Sequence, residues 1–188
     1  MTNQMPRAKI KWNADKLVSL SAISISFITL LIFVYQTNLM RRQNYIAIMP
    51  YLMLSTTNDG ESNTFEINLK NHGVGPAIIE SVTLRHKGKT YRLEDYNHDF
   101  FNFLSSEVSG LDSLKNVSFS TLDIGLAIPA NSSYNILAVK NDPQEHQQVR
   151  EAISRLIAEG FEFEVVYRSI QDERWRIHNN SQGPERVR

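Results

Sequence analysis

Leu17 to Tyr35 reads LVSLSAISISFITLLIFVY, nineteen consecutive residues with no charged side chain at neutral pH. A helix rises about 1.5 Å per residue, so a run of this length roughly matches the ~30 Å hydrocarbon core of a bilayer. Trp12 and Tyr35 bracket it where interfacial aromatics belong, which favours a span over a buried core helix. The run is longer than the apolar region of a secretory signal. It ends in Ile32, Phe33, Val34 and Tyr35 rather than in the small residues of a cleavage site. An uncleaved single-pass anchor is expected.

The flanks bear on orientation. Arg7, Lys9, Lys11 and Lys16 precede the span with Asp15 opposing, while Arg41 and Arg42 follow Gln36, Thr37 and Asn38. Four basic residues against two favour a cytoplasmic N-terminus and a periplasmic or extracellular main domain. Arg41 and Arg42 form a stop signal of their own, which leaves the cytoplasmic alternative open. Within the span Ser19, Ala22, Ser26 and Thr29 recur at spacings of three, four and three, along one stripe of a helix. Small side chains in that pattern let a second helix approach closely, so homo-oligomerisation is one expectation. The other is that the hydroxyls simply bond back to their own helix.

Of 188 residues, about 140 remain beyond the span, the size of one domain. Twenty basic and twenty acidic residues give a formal net charge of zero, so there is no overall field to draw a nucleic acid polymer. The absence of cysteine removes disulfides, thiolate metal sites and a cysteine nucleophile. The expected organisation is a basic tail over 1–16, a transmembrane helix over 17–38, a β-sandwich over 45–178 and a disordered tail over 179–188.

The soluble part reads mainly as strands. Pro50 interrupts the apolar Tyr45–Leu54 and suits an edge or first strand, and Asn58-Asp59-Gly60 marks a turn. Phe65, Ile67 and Leu69 then alternate with polar residues, the period of a half-buried strand. Asn71–Ala77, NHGVGPA, is a tight connection whose two glycines suggest unusual dihedrals. It is not a phosphate loop, because Gly75 leads to Pro76 and a strand rather than to Lys-Ser/Thr and a helix. Further on, Asp142, Pro143 and Glu145 open a helix with an apolar stripe at Val149, Ile153, Leu156 and Ile157, ended by Gly160. Phe161, Phe163, Val165 and Tyr167 alternate in the strand that follows.

Phe65–Leu69, the N-x-G-x-G-P-A segment, Ile78–Leu84 and Lys87–Arg92, together with Tyr167, Ser169, Glu173 and Trp175 in the closing hairpin, resemble the immunoglobulin-like β-sandwich found in many bacterial single-pass membrane proteins. The resemblance covers about two thirds of the soluble part. It implies a mainly β, immunoglobulin-like fold with one packed C-terminal helix, anchored in the bacterial cell membrane. It implies no activity, since the group has no agreed biochemistry.

Catalytic signatures are missing from the chain: there is neither G-x-S-x-G nor H-E-x-x-H around its five histidines. Glu162 and Glu164 share one strand face and read as its solvated side rather than as a glycosidase pair. Glu94–Gly125 is the least regular stretch. Asp95, His98 and Asp99 there have donors suited to a divalent metal, but a turn with Asp95 capping a short helix explains them more simply, and no metal or other cofactor is expected. Arg168, Arg174, Trp175 and Arg176 form the best surface for a protein partner or ligand, Trp175 reading equally as core. The leading expectation is therefore a membrane-anchored, non-enzymatic binding module, self-associating through its span. The alternatives are a ligand-gated membrane effector, as in antiviral defence, whose domain senses a small signal, and an enzyme without a recognisable signature.

Overall fold

A computed structural model describes residues 13–187; Arg7, Lys9, Lys11 and Trp12 lie outside the described residues. The chain divides into two units, residues 1–46 and 47–188. The first is dominated by helix α1 (Ala14–Ala47), 34 residues with no buried side chain and long and apolar enough to cross a membrane. At about 1.5 Å per residue it is roughly 50 Å long, so its polar continuation past Tyr35 extends well beyond a hydrocarbon core.

The second unit is sheet-rich. Its strands are β1 (Leu52–Asp59), β2 (Thr64–Asn71), β3 (Ala77–His86), β4 (Lys89–Arg92), β5 (Val117–Phe119), β6 (Ala127–Ile128), β7 (Ser132–Val139), β8 (Glu162–Arg168), β9 (Arg174–His178) and β10 (Glu185–Val187). One antiparallel sheet has the order β1-β2-β7-β5; the other runs β10-β9-β8-β3-β4, with β6 also paired to β3. The apolar alternation places Phe65, Ile67 and Leu69 of β2 and Phe163, Val165 and Tyr167 of β8 in the core. A bond between the sheets joins them: the Leu52 amide donates to the Tyr167 hydroxyl at 3.3 Å. That phenol is stacked on Trp175, and burial pushes its pKa up.

Two helices complete the unit. Helix α3 (Pro143–Ala158) contacts β2 and β7 through the stripe that includes Val149, Ile153 and Leu156. Asp142 caps it, accepting from the Gln144 and Glu145 amides. Glu145 does not close a reciprocal capping box; its carboxylate instead accepts the Lys115 and Asn116 amides at 2.8 and 2.7 Å and fixes the loop before β5. Helix α2 (Phe100–Glu107) brings Phe100 and Phe103 against Phe161. With Ile67 of β2, Leu54 of β1, Phe163 of β8 and Ile153 of α3, Phe100 lines one apolar cleft.

Two local expectations change. The helix cap in the 94–107 region is Asp99, not Asp95: Asn97 and His98 both have φ of 58°, which turns the chain between a 3-10 turn at Leu93–Tyr96 and the start of α2. The polar C-terminal segment is not a free tail throughout, because β10 pairs with β9 in the register Glu185↔Arg176 and Val187↔Arg174. Backbone hydrogen bonding and the Arg176–Glu185 ion pair, 2.8 Å, supply what the segment lacks in apolar residues.

Candidate functional site

Three of the places at which polar side chains join distant parts of the chain bear on function. The first is the N-x-G-x-G-P-A segment. Asn71, 1% exposed, spends its whole amide on backbone. Its Oδ1 accepts from the Tyr51 and Gly73 amides at 3.1 and 3.0 Å; its Nδ2 faces the carbonyls of Gly75, Ile128 and Pro129 at 2.9 to 3.1 Å. The glycines are needed for space and not for positive φ. A Cβ on Gly73 would overlap the Met49 carbonyl oxygen and the Tyr51 nitrogen, and one on Gly75 would overlap the Ile48 carbonyl. The Val74 amide bonds to Met49 O at 3.1 Å and the His72 amide to Tyr51 O at 2.8 Å. The segment is thus a clamp on Ile48–Leu52, the stretch that follows directly on α1.

The second is the hairpin of β8 and β9. Trp175 is 3% exposed and stacked on Tyr167, so it belongs to the core. The arginines lie outside. Arg174 Nε is 2.9 Å from Glu80 and Arg168 Nε 3.6 Å from the same carboxylate, while Arg168 also pairs with Asp172. Arg176 meets Glu185, and Arg186 meets Glu173 at 2.7 Å. Farther along the same sheet Arg85 joins Glu162 and Glu164 at 2.9 and 3.4 Å. The face is a set of intramolecular ion pairs, and the guanidinium groups that could receive an anion already hold carboxylates. Glu80 stands far from Arg168 and Arg174 in sequence, and Glu185, nine residues from Arg176, lies on a strand of its own. Only the cross-strand register brings them there, which is why spacing along the chain did not reveal them.

The third is His86, whose ring meets two carboxylates. It drew no attention in the sequence because its partners, Glu107 and Glu159, are 21 and 73 residues away.

The metal-suited triad is divided. Asp95 is exposed, His98 is half-buried, and the Asp99 carboxylate accepts the Phe101 amide at 2.7 Å as a helix cap. Burial pushes the Asp99 carboxyl above its ordinary value, against the pull of the Phe101 and Asn102 amides. Among the described residues no group of three or more His, Asp or Glu side chains could hold a metal ion.

On α1, the Ser19, Ser26 and Thr29 hydroxyls donate to the carbonyls of Asp15, Ala22 and Ile25, each four residues back, at 2.8 to 2.9 Å. With Ala22 they leave a stripe whose outward face is small and whose hydroxyl protons are engaged. Any contact along it would rest on close packing.

Comparison with protein-family models, with curated proteins and with solved structures returns no match to the chain.

Proposed function

We propose that the chain is a single-pass membrane protein in which α1 crosses the bilayer and the second unit, an immunoglobulin-like β-sandwich, is a non-enzymatic binding module for a protein partner. The observation that carries this is an apolar helix with no buried side chain, long enough to cross a membrane, ahead of a separate sheet-rich unit. Within that second unit the chain from Ile48 to Leu52 is held by the glycine clamp. The side chains that are both polar and buried bond to backbone or to a half-buried or exposed side chain beside them, each at a different place in the unit. That is the arrangement of a scaffold.

The ion-paired outer face around Arg168, Arg174 and Arg176 supports a protein partner able to exchange such pairs, rather than a nucleic acid polymer. The ligand-gated effector draws less support from the same geometry, since its sensing arginines are occupied. The basic residues before the span support a body on the outer side of the bacterial cell membrane. The Ser19, Ala22, Ser26 and Thr29 stripe supports self-association.

The test is crosslinking in native membranes from a photoreactive residue at Arg174, with identification of the products. A reproducible heterologous partner is expected. A protein that remains strictly monomeric and uncrosslinked contradicts the proposal.

A further inference from the structure

His86 closes β3 and is 2% exposed. Its Nδ1 lies 3.0 Å from Oε2 of Glu107, the last residue of α2, and its Nε2 lies 3.1 Å from Oε2 of Glu159, the C-cap of α3. Phe161 meets the ring edge-on. A neutral imidazole has one N–H and can donate to one of these carboxylates only; its other nitrogen would set a lone pair against the second. The imidazolium donates to both.

We propose that His86 is a protonation-dependent latch: with both ring nitrogens protonated it ties the ends of α2 and α3 to the β3–β4 turn, and loss of one proton releases one of those helix ends.

The surroundings fit a charged ring. Lys87 Nζ is 2.9 Å from Glu159 and, ahead of His86 itself, holds that carboxyl below its ordinary value, so Glu159 stays ionised. On β4 the Tyr91 hydroxyl bonds to Glu107; burial first, then that carboxylate, pushes the phenol up, so it stays a neutral donor. Lys89 is the strand partner of His86 on β4, and it is exposed. Arg85, the preceding residue on β3, is engaged by Glu162 and Glu164. The ring is thus set between two carboxylates, and among the described residues Lys87 is the one Lys or Arg that pairs with either.

Release has a defined consequence. Phe103 of α2 stacks on Phe161 at 5.7 Å between centroids, and Phe100 meets Phe163 edge-on. Freeing the end of α2 loosens the cover over these rings. The two-sided tie lasts only while both ring nitrogens carry a proton, since a neutral ring can donate to one carboxylate alone.

The experiment uses the full chain in lipid nanodiscs with 15N-labelled histidine. His86→Gln identifies the His86 signals among the five histidines. Across a pH series both ring nitrogens of His86 are expected in the protonated range while the latch is closed, and the change to a neutral tautomer is expected to coincide with a fall in the thermal midpoint. That fall should be lost in His86→Gln and reduced in Glu107→Gln, which keeps an acceptor but removes one charge. Should His86→Gln fail to fold, the wild-type spectrum and Glu107→Gln decide the matter. A ring that stays neutral throughout the pH range in which the protein is folded, or that changes tautomer without a change in the thermal midpoint, overturns the latch. So does an undiminished pH dependence in Glu107→Gln.

Discussion

The two polar junctions on either side of β3 solve the same packing problem with different chemistry. Before its start, Asn71 binds the chain leaving α1 with a neutral amide, all of whose partners are backbone. At its finish, His86 gathers two helix ends with charge. A buried amide with all its donors and acceptors used has nothing to titrate, so the clamp on Ile48–Leu52 holds over any pH at which the protein is folded. An imidazole between carboxylates holds only while it is charged. The end of the unit that follows α1 is therefore held by groups that do not titrate, and the end covered by α2 and α3 by groups that do.

Substitutions can break this contrast, beginning with the clamp. Gly75→Ala drives a Cβ into the Ile48 carbonyl, and backbone cannot move aside as a flexible side chain can; a loss of about 4 kcal/mol or more, or failure to fold, is expected in denaturant melts. Asn71→Ala strands several backbone groups at once and should cost about 3–4 kcal/mol, by the same amount at acid and neutral pH. His86→Leu should cost less, about 1–2 kcal/mol near neutrality, because Glu107 and Glu159 are partly exposed and can turn to water. Its cost should shrink once the wild-type ring has lost its second proton, which the same melts across a pH series would show. Tyr167→Phe removes only the acceptor for the Leu52 amide, and a loss of about 1 kcal/mol in the same melts would set the value of that bond between the sheets. Smallest of all, Arg174→Ala should change stability by no more than about 0.5 kcal/mol, as exposed ion pairs do, so an effect on partner crosslinking would report recognition and not folding.

What could be read from the chain was what repeats along it. The alternation of Phe65, Ile67 and Leu69 marks β2, that of Phe161 to Tyr167 marks β8, and the Asp142-Pro143 start with Val149, Ile153 and Leu156 marks α3; in each the period reports a buried face, although Ile157, expected in the α3 stripe, is 52% exposed. The long apolar helix was legible for the same reason. The rest depends on which strands become neighbours. The strand at Glu185–Val187 exists because β9 offers an edge, and the polar sequence from Asn179 carries no sign of it. The role of Asn71 needs Tyr51 on one side and Ile128 on the other. Gly73 and Gly75 suggested unusual dihedrals, yet their value lies in the backbone that crosses them. The cap at Asp99 rather than Asp95 followed from two residues at positive φ, a conformation open to Asn and less common for His. The Arg hairpin looked like a surface of free charge because Glu80 is distant in the chain and Glu185 sits on a strand that the polar sequence does not announce.

The central claim is that α1 anchors a folded module on the outer side of the membrane. Since the chain has no cysteine, Glu61→Cys in the exposed turn between β1 and β2 gives one unique label site. Intact cells would be treated with a membrane-impermeant maleimide and their membranes washed in alkaline carbonate before the label is located. The account predicts labelled full-length protein in the washed membrane pellet without permeabilisation. Labelling that appears only after permeabilisation, or labelled protein released by carbonate, would contradict it.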